Sequence, residues 1–476
     1  MIAHDRWLIT CVVALAAASA ACDRHHEATE ATERDEAEVP DNDYFYLQRV
    51  SRDGRLNLAA RPQALHQARL LAARARAAAT TDAAATRQLR GPLNVGGRVT
   101  DLAGDPADAN KFYVGAASGG VWKTVDGGAN FTAIFDGHGS LATGALAIDP
   151  RDSNVLYVGT GEASPGGGSV TYPGDGVWKT SDGGASWQHL GLEHTIAIGR
   201  IAVDPQHPDT VFVAAMGNLY SRNTDRGVYR SQDGGQTWTQ VLFVSDIAGA
   251  VDVAIDPSDP RRVFAATWQR IRFPQERIYG GPGSGLWLSS DGGTTWTRLA
   301  GGLPGPETEP SRIGVAIAPS SPGTIYAVYY RKSDTALQGL FRSTDGGTTW
   351  TQATATGLGN IVNNQGTWSG RIFVHPGNPG EVWVDGVGLA RSTNGGTSFT
   401  SVPGLHADHH AQWFFPGNPS IILKGNDGGL YRSTNGGTSW THFNNLPISQ
   451  FYTVEAHPAE PLKIYGGMRR TATRNR

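Results

Sequence analysis

The chain has 476 residues, longer than one ordinary domain of about 100–200 residues unless it is built of repeats. Lys and Arg number 40 against 43 Asp and Glu, a formal charge of -3, which argues against nucleic acid as a partner. Gly is 62 and Trp 13 while Met is 3 and Cys 2, the composition of a turn-rich β protein rather than a disulfide-stapled one.

Residues 1–22 read as an export signal: Arg6, an apolar run from Trp7 to Ala18, then Ser19-Ala20-Ala21 before Cys22. The run is too short to span a bilayer. The S-A-A-C ending resembles a bacterial lipoprotein box, so Cys22 is the expected lipidation site; plain cleavage after Ala20 or Ala21 is the alternative. The expectation is therefore a periplasmic or cell-surface lipoprotein, tethered to the membrane, or a secreted protein. Cys11 falls inside the signal, which leaves at most one mature Cys and excludes an internal disulfide and multi-cysteine metal or redox chemistry. No cofactor is implied. Residues 23–58 form an acidic linker that buries little and is expected to stay disordered. Residues 59–85 hold the one convincing helix, over 59–79, whose Leu/Ala face is expected to dock on the main domain.

From residue 86 to 447 the dominant signal is a repeat, Ser/Thr-x-Asp-Gly-Gly-x-Thr/Ser-Trp. Its acidic or amide positions are Asp126, Asp182, Asp233, Asp291, Asp345, Asn394 and Asn435, at intervals of 56, 51, 58, 54, 49 and 41 residues. An Asp or Asn oxygen accepts backbone N–H groups across such a turn, and the Gly pair supplies positive φ. The closing aromatic is expected to fold over the hairpin and bury its ring. Because the acid recurs in every unit, it is read as structural rather than catalytic. Strands ending in Asp-Pro-like turns (LAGDP, LAIDP, IAVDP, VAIDP) precede a second strand (KFYVGA, VLYVGT, TVFVAA) in each unit. The unit is thus a four-stranded antiparallel blade, and seven of them predict an all-β, seven-bladed β-propeller. One blade cannot cover both its faces, so the ring must close. Residues 448–476 restart a blade with VEAHP and KIYGG and then end in an Arg-rich stretch, as though a further blade or second propeller were truncated.

These repeats, with GPLNVGGRVTDLAGDP, YVGAASGGVWKT, LYVGTGEA, GGPGSGLW, HADHHAQW and KGNDGGLYRSTNGGTSW, resemble the bacterial Asp-box (BNR) propellers. The likeness is to the glycosyl hydrolase-like and sortilin amino-terminal-like groups, and it runs over residues 91–467. The resemblance implies an exported repeat protein and leaves three functions open: binding a glycan or extended polypeptide at the channel mouth, glycoside hydrolysis of the xyloglucanase type, or a sorting or assembly scaffold. In the xyloglucanase type the first catalytic aspartate lies in R-T-D-x-G-G-x-Y on the first blade; here Ala117 stands at that place. Glycosidases normally need two carboxylates.

Non-repeating polar residues near the inner strands are the site candidates. Arg98, Arg200, Arg312 and Arg371 sit near inner-strand starts, and Arg forks suit anionic groups. The competing reading is that they hold neighbouring-blade carboxylates such as Asp101 and Asp252. His406, Asp408, His409 and His410 form the sharpest cluster. Strand alternation would set His406, Asp408 and His410 on one side, where they could bind a ligand, act as acid and base, or hold a metal. No metal site is assigned. Trp268, Trp368 and Trp413 are the tryptophans the repeat does not use, available to stack on sugars. Insertions at 162–176 and 268–285, with Glu162 and Glu276, are expected to build one rim.

Overall fold

The computed structural model describes residues 57, 60–78, 96–164, 172–272, 277–449, 451–458 and 460–468. The export signal, Cys22, the acidic linker apart from Asn57, and Glu276 lie outside the described residues. A helix, α1, spans Ala60–Ala78. Its Leu70 and Leu71 are 47% and 63% exposed, so the expected docking of the Leu face is not what the structure shows.

Seven four-stranded antiparallel sheets follow, each made of strands that are consecutive among its neighbours. Blade 1 is Val99–Gly104, Phe112–Ala116, Val121–Thr124 and Thr132–Ala133. The inner strands of blades 2 to 7 are Thr143–Asp149, Ile198–Val203, Ala248–Ile255, Pro310–Ile317, Ile372–Val374 and His409–Phe414. The fold is the seven-bladed propeller that the repeat demands.

The turn chemistry explains the repeat. In all seven turns the first Gly has φ between 66° and 75° and the second between 82° and 97°, a region that side chains rarely adopt. The Ser or Thr hydroxyl accepts the N–H of the second Gly, as in Gly128 to Thr124 at 3.0 Å and Gly293 to Ser289 at 2.7 Å. The Asp or Asn Oδ1 accepts the N–H four residues on, at 2.9 Å for Ser186 to Asp182 and 3.0 Å for Ser398 to Asn394. Asn serves as well as Asp, since only an acceptor is needed.

Six of the seven turns also receive a cation from the blade before them. Lys123 donates to the Gly183 carbonyl at 2.9 Å, Lys179 to Gly234 at 3.1 Å, Arg230 to Gly292 at 2.6 Å and Arg391 to Gly436 at 3.0 Å. In blade 4 the third strand has Leu288 at this place, and Arg262, just before the second strand, serves Gly346 instead. Arg432 closes the circle on Gly127 of blade 1 at 3.2 Å. Trp413 packs over Gly104, and Phe443 meets Phe131 edge-on at 5.7 Å, so blade 7 seals against blade 1. The closing aromatics lie at these seams. Trp187 donates to Ile134 at 2.6 Å and Trp238 to Leu190 at 2.9 Å, each in the preceding blade. Trp350 and Phe399 are buried, whereas Phe131, Trp187, Trp238, Trp296 and Trp440 are half-buried, because their outer edge faces solvent.

After the ring, Phe451–His457 and Glu460–Met468 pair as an antiparallel hairpin.

Candidate functional site

The inner strands begin at one face of the ring, called here the upper face. In six blades the ladder slips near that end, for example between Val99 and Asp101, Thr143 and Ala145, and His409 and Ala411. A bulge re-aims side chains. It sends a set of non-repeating charges into the channel.

Arg200 donates to Asp252 of the next blade at 3.0 Å, as the neighbouring-blade reading expects, whereas Arg371 donates to Asp101 at 2.8 Å, a carboxylate of a blade that is not its neighbour. Arg371 also reaches the Gly199 carbonyl at 3.2 Å. The Asp101 and Asp252 carboxylates accept backbone N–H groups from Leu146 at 2.9 Å and Val315 at 3.2 Å. Arg312 bonds the Ser164 hydroxyl across the channel and the Thr367 carbonyl at 3.3 Å. Buried Lys424 pairs with Asp385.

At the upper mouth four blades converge. Arg98 of blade 1 donates to Glu162 of blade 2 at 2.9 Å. Its guanidinium lies 4.6 Å above the ring of Trp368, which precedes the inner strand of blade 6. Trp368 meets His410 of blade 7 edge-on at 5.4 Å, and His410 Nε2 lies 2.8 Å from Asp427 Oδ1. A cavity of about 20 Å³, lined by Glu162, Ser164, Trp368, Arg371 and His410, opens there. Burial pushes the Glu162 carboxyl up, and the Arg98 guanidinium opposes that without cancelling it. A second cavity of about 130 Å³ lies beside it on the same face, lined by Arg98, Ala117, Ser118, Trp122, Ile448 and Ser449.

The structure thus gathers Arg98, Glu162, Trp368 and His410 at one place, with Arg371 lining the same cavity, Arg312 reaching its Ser164, and Arg200 held by Asp252. It does not gather the rest. Asp408 has φ 63°, and His410 sits at the ladder slip, so the alternation expected to set His406, Asp408 and His410 together is broken. His406 Nδ1 faces the Ala407 carbonyl at 2.9 Å. His409 is buried, and burial first, then Lys424, holds its imidazole well below the usual range. Among the described residues no three His, Cys, Asp or Glu converge as a metal site. Trp268 is 0% exposed and donates to the Tyr279 carbonyl at 2.9 Å, so it has no face for a sugar. Trp413 is taken up by the seam with blade 1.

Asp427, Asp385, Lys424 and Ser164 are part of the arrangement and escaped the sequence reading. Asp427 was hidden by its context. Asn426-Asp427-Gly428-Gly429 looks like one more repeat turn, yet it precedes the third strand of its blade instead of following it.

No family model matches the chain. A xyloglucanase of Paenibacillus sp is 25% identical over 324 residues, which are 61% of this chain and 28% of that protein. A xyloglucanase of Hypocrea jecorina is 27% identical over 266 residues, 54% of this chain and 26% of that protein. The chain thus spans little more than a quarter of the length of these relatives. Among solved structures, a GH74 enzyme of Niastella koreensis has TM-score 0.56 at 20% identity, covering 77% of this chain and 57% of that one. The GH74 xyloglucanase of Xanthomonas campestris has TM-score 0.56 at 19% identity, covering 77% and 56%. The chain is therefore a glycoside hydrolase-like propeller, related to those of the xyloglucanase type.

Proposed function

We propose that this propeller engages a glycan of the xyloglucan kind on its upper face, as a member of the Asp-box group. The observation that carries the reading is a pair of cavities on this face, one lined by Arg98 and the other by its ion-pair partner Glu162. One is walled by Trp122 and the 117–119 loop, the other by Glu162, Trp368 and His410. Aromatic and hydrogen-bonding groups side by side are what a sugar ring needs. The curated relatives support the ligand class, since those similar over half of this chain are xyloglucanases. Export and a lipid tether at Cys22 belong to the same proposal, because a polymeric glycan is met outside the cell. The test is titration calorimetry of the full chain with xyloglucan oligosaccharides, beside a panel of other β-glucans and a peptide array. Saturable binding to the glucan supports the reading. Binding to extended peptides with none to glycans would replace it with the sorting-scaffold alternative.

A further inference from the structure

The charges inside the channel do not balance. Arg371 is paired with Asp101, Arg200 with Asp252 and Lys424 with Asp385. Arg312, on the inner strand of blade 5, is left over. It is 3% exposed, it bonds the Ser164 hydroxyl and the Thr367 carbonyl, and its Nε has no partner. Among the described residues no carboxylate lies within ion-pair distance of it. Asp252 acts on it from further off but is committed to Arg200. A guanidinium cannot shed its proton to escape burial, and a buried charge without a counter-charge is costly.

The cavity of about 20 Å³ lies one side chain away, since Ser164 lines it together with Arg371 and Ser369. The Ser164 hydroxyl accepts from Arg312, which leaves its own hydrogen free to donate. Ser369 is 1% exposed and its Oγ has no partner. The acceptors that border the space are already engaged. The Gly144 and Gly199 carbonyls take Arg371 at 3.4 and 3.2 Å, and Glu162 takes Arg98 at 2.9 Å. Two hydroxyl donors beside two guanidinium groups remain. The volume holds one water-sized particle. A sugar ring, a phosphate or a sulfate does not fit.

We propose that this cavity is a site for a monatomic anion, chloride in ordinary solution, held by the Ser164 and Ser369 hydroxyls beside Arg312 and Arg371. A water would fill the same space but would leave the Arg312 charge uncompensated. Thr100 of blade 1, Gly144 of blade 2, Gly199 of blade 3 and His410 of blade 7 also border the cavity. The anion therefore sits where inner strands from around the ring meet, and it fastens them at the axis. The proposal does not depend on the glycan reading, because a sugar would lie over this cavity and not in it.

The experiment measures Tm of the full chain as sodium chloride replaces sodium gluconate at constant ionic strength, and reads anomalous scattering from crystals soaked in bromide. Gluconate is the control, a monovalent anion too large for the cavity. Chloride should raise Tm by at least about 2 °C, and the rise should saturate. Arg312→Gln should abolish that rise. Ser369→Ala removes only a hydroxyl without a protein partner, so it should fold even if Arg312→Gln does not. It should raise the half-saturating chloride concentration at least about tenfold, the loss of one hydrogen bond to a charge. Bromide should give an anomalous peak beside Ser369 and Arg371. No chloride-specific rise, a rise that the variants keep unchanged, or no bromide peak in that cavity would overturn the proposal and leave the space to water.

Discussion

Arg371 of blade 6 crosses the channel and donates to Asp101 of blade 1 at 2.8 Å. The same guanidinium reaches the Gly144 and Gly199 carbonyls of blades 2 and 3. One side chain therefore ties blades that are not neighbours in the ring. Propeller channels taper, and here the taper is filled with paired charge instead of apolar side chains.

That tie sets a stability prediction. Arg371→Met leaves Asp101 buried beside Arg200, which is 3.7 Å away and already committed to Asp252. Breaking a buried pair from one side costs about 3–5 kcal/mol. Urea unfolding should show a loss of that order for Arg371→Met and a smaller one for Arg371→Met with Asp101→Asn. Equal losses would mean that the pair is incidental.

The repeat turns need an acceptor, not a charge. Asp182→Asn should leave Tm near that of the wild type, as Asn394 and Asn435 already do the same work, whereas Asp182→Ala should lower it. The acid forms carry a pH signature. Hydrogen bonds from Asn130, Thr237 and Thr349 hold the Asp126, Asp233 and Asp345 carboxyls down to about 2, below the ordinary 3.8. Their contribution is complete above pH 3.8 and is lost as the pH falls towards 2. Thermal scans from pH 5 to 2 read it.

His409 acts at milder pH. Its imidazole is buried, and its neighbours are Lys424, His410 and His406, all of which oppose a further proton. The unfolded chain takes up that proton near pH 6.5 and the folded chain does not, so stability is complete above about 6.5 and falls as the pH drops. Glu162 has the opposite sign, because its folded carboxyl keeps a proton to higher pH than the unfolded one. Comparing the wild type with His409→Gln cancels Glu162. The wild type should lose more stability than the variant between pH 7 and 5; equal losses would assign the effect elsewhere.

Ring closure is tested at Gly104. A Cβ there would lie 2.3 Å from the Trp413 ring, so Gly104→Ala overpacks the seam between blades 7 and 1. The expected cost is about 1–3 kcal/mol. Gly323→Ala is the control, since its Cβ meets only the Thr344 carbonyl at 3.5 Å, and it should be neutral.

The architecture was legible because each blade writes the same residues again: turn acceptor, Gly pair, closing aromatic, inner strand. The seams were not. Lys123, Lys179, Arg230, Arg391 and Arg432 recur just before the turn Ser or Thr, but a lone cation in a strand looks like solvated surface until the neighbouring Gly carbonyl is in view. At the mouth, Arg98, Glu162, Trp368 and His410 could be picked out because they break the repeat. Asp427 could not, because it imitates the repeat. The failure at His406 and Asp408 has a local cause: alternation presumes a regular strand, and the strand begins only at His409 after a residue with positive φ.

Hydrogen exchange of the full chain with and without a saturating xyloglucan oligosaccharide tests the central claim most directly. Slowed exchange at residues 117–122, 162–164 and 447–449, with the Asp-Pro turns of the opposite face unchanged, is the predicted footprint. Protection confined to those opposite turns, or none anywhere at saturating glycan, would contradict it.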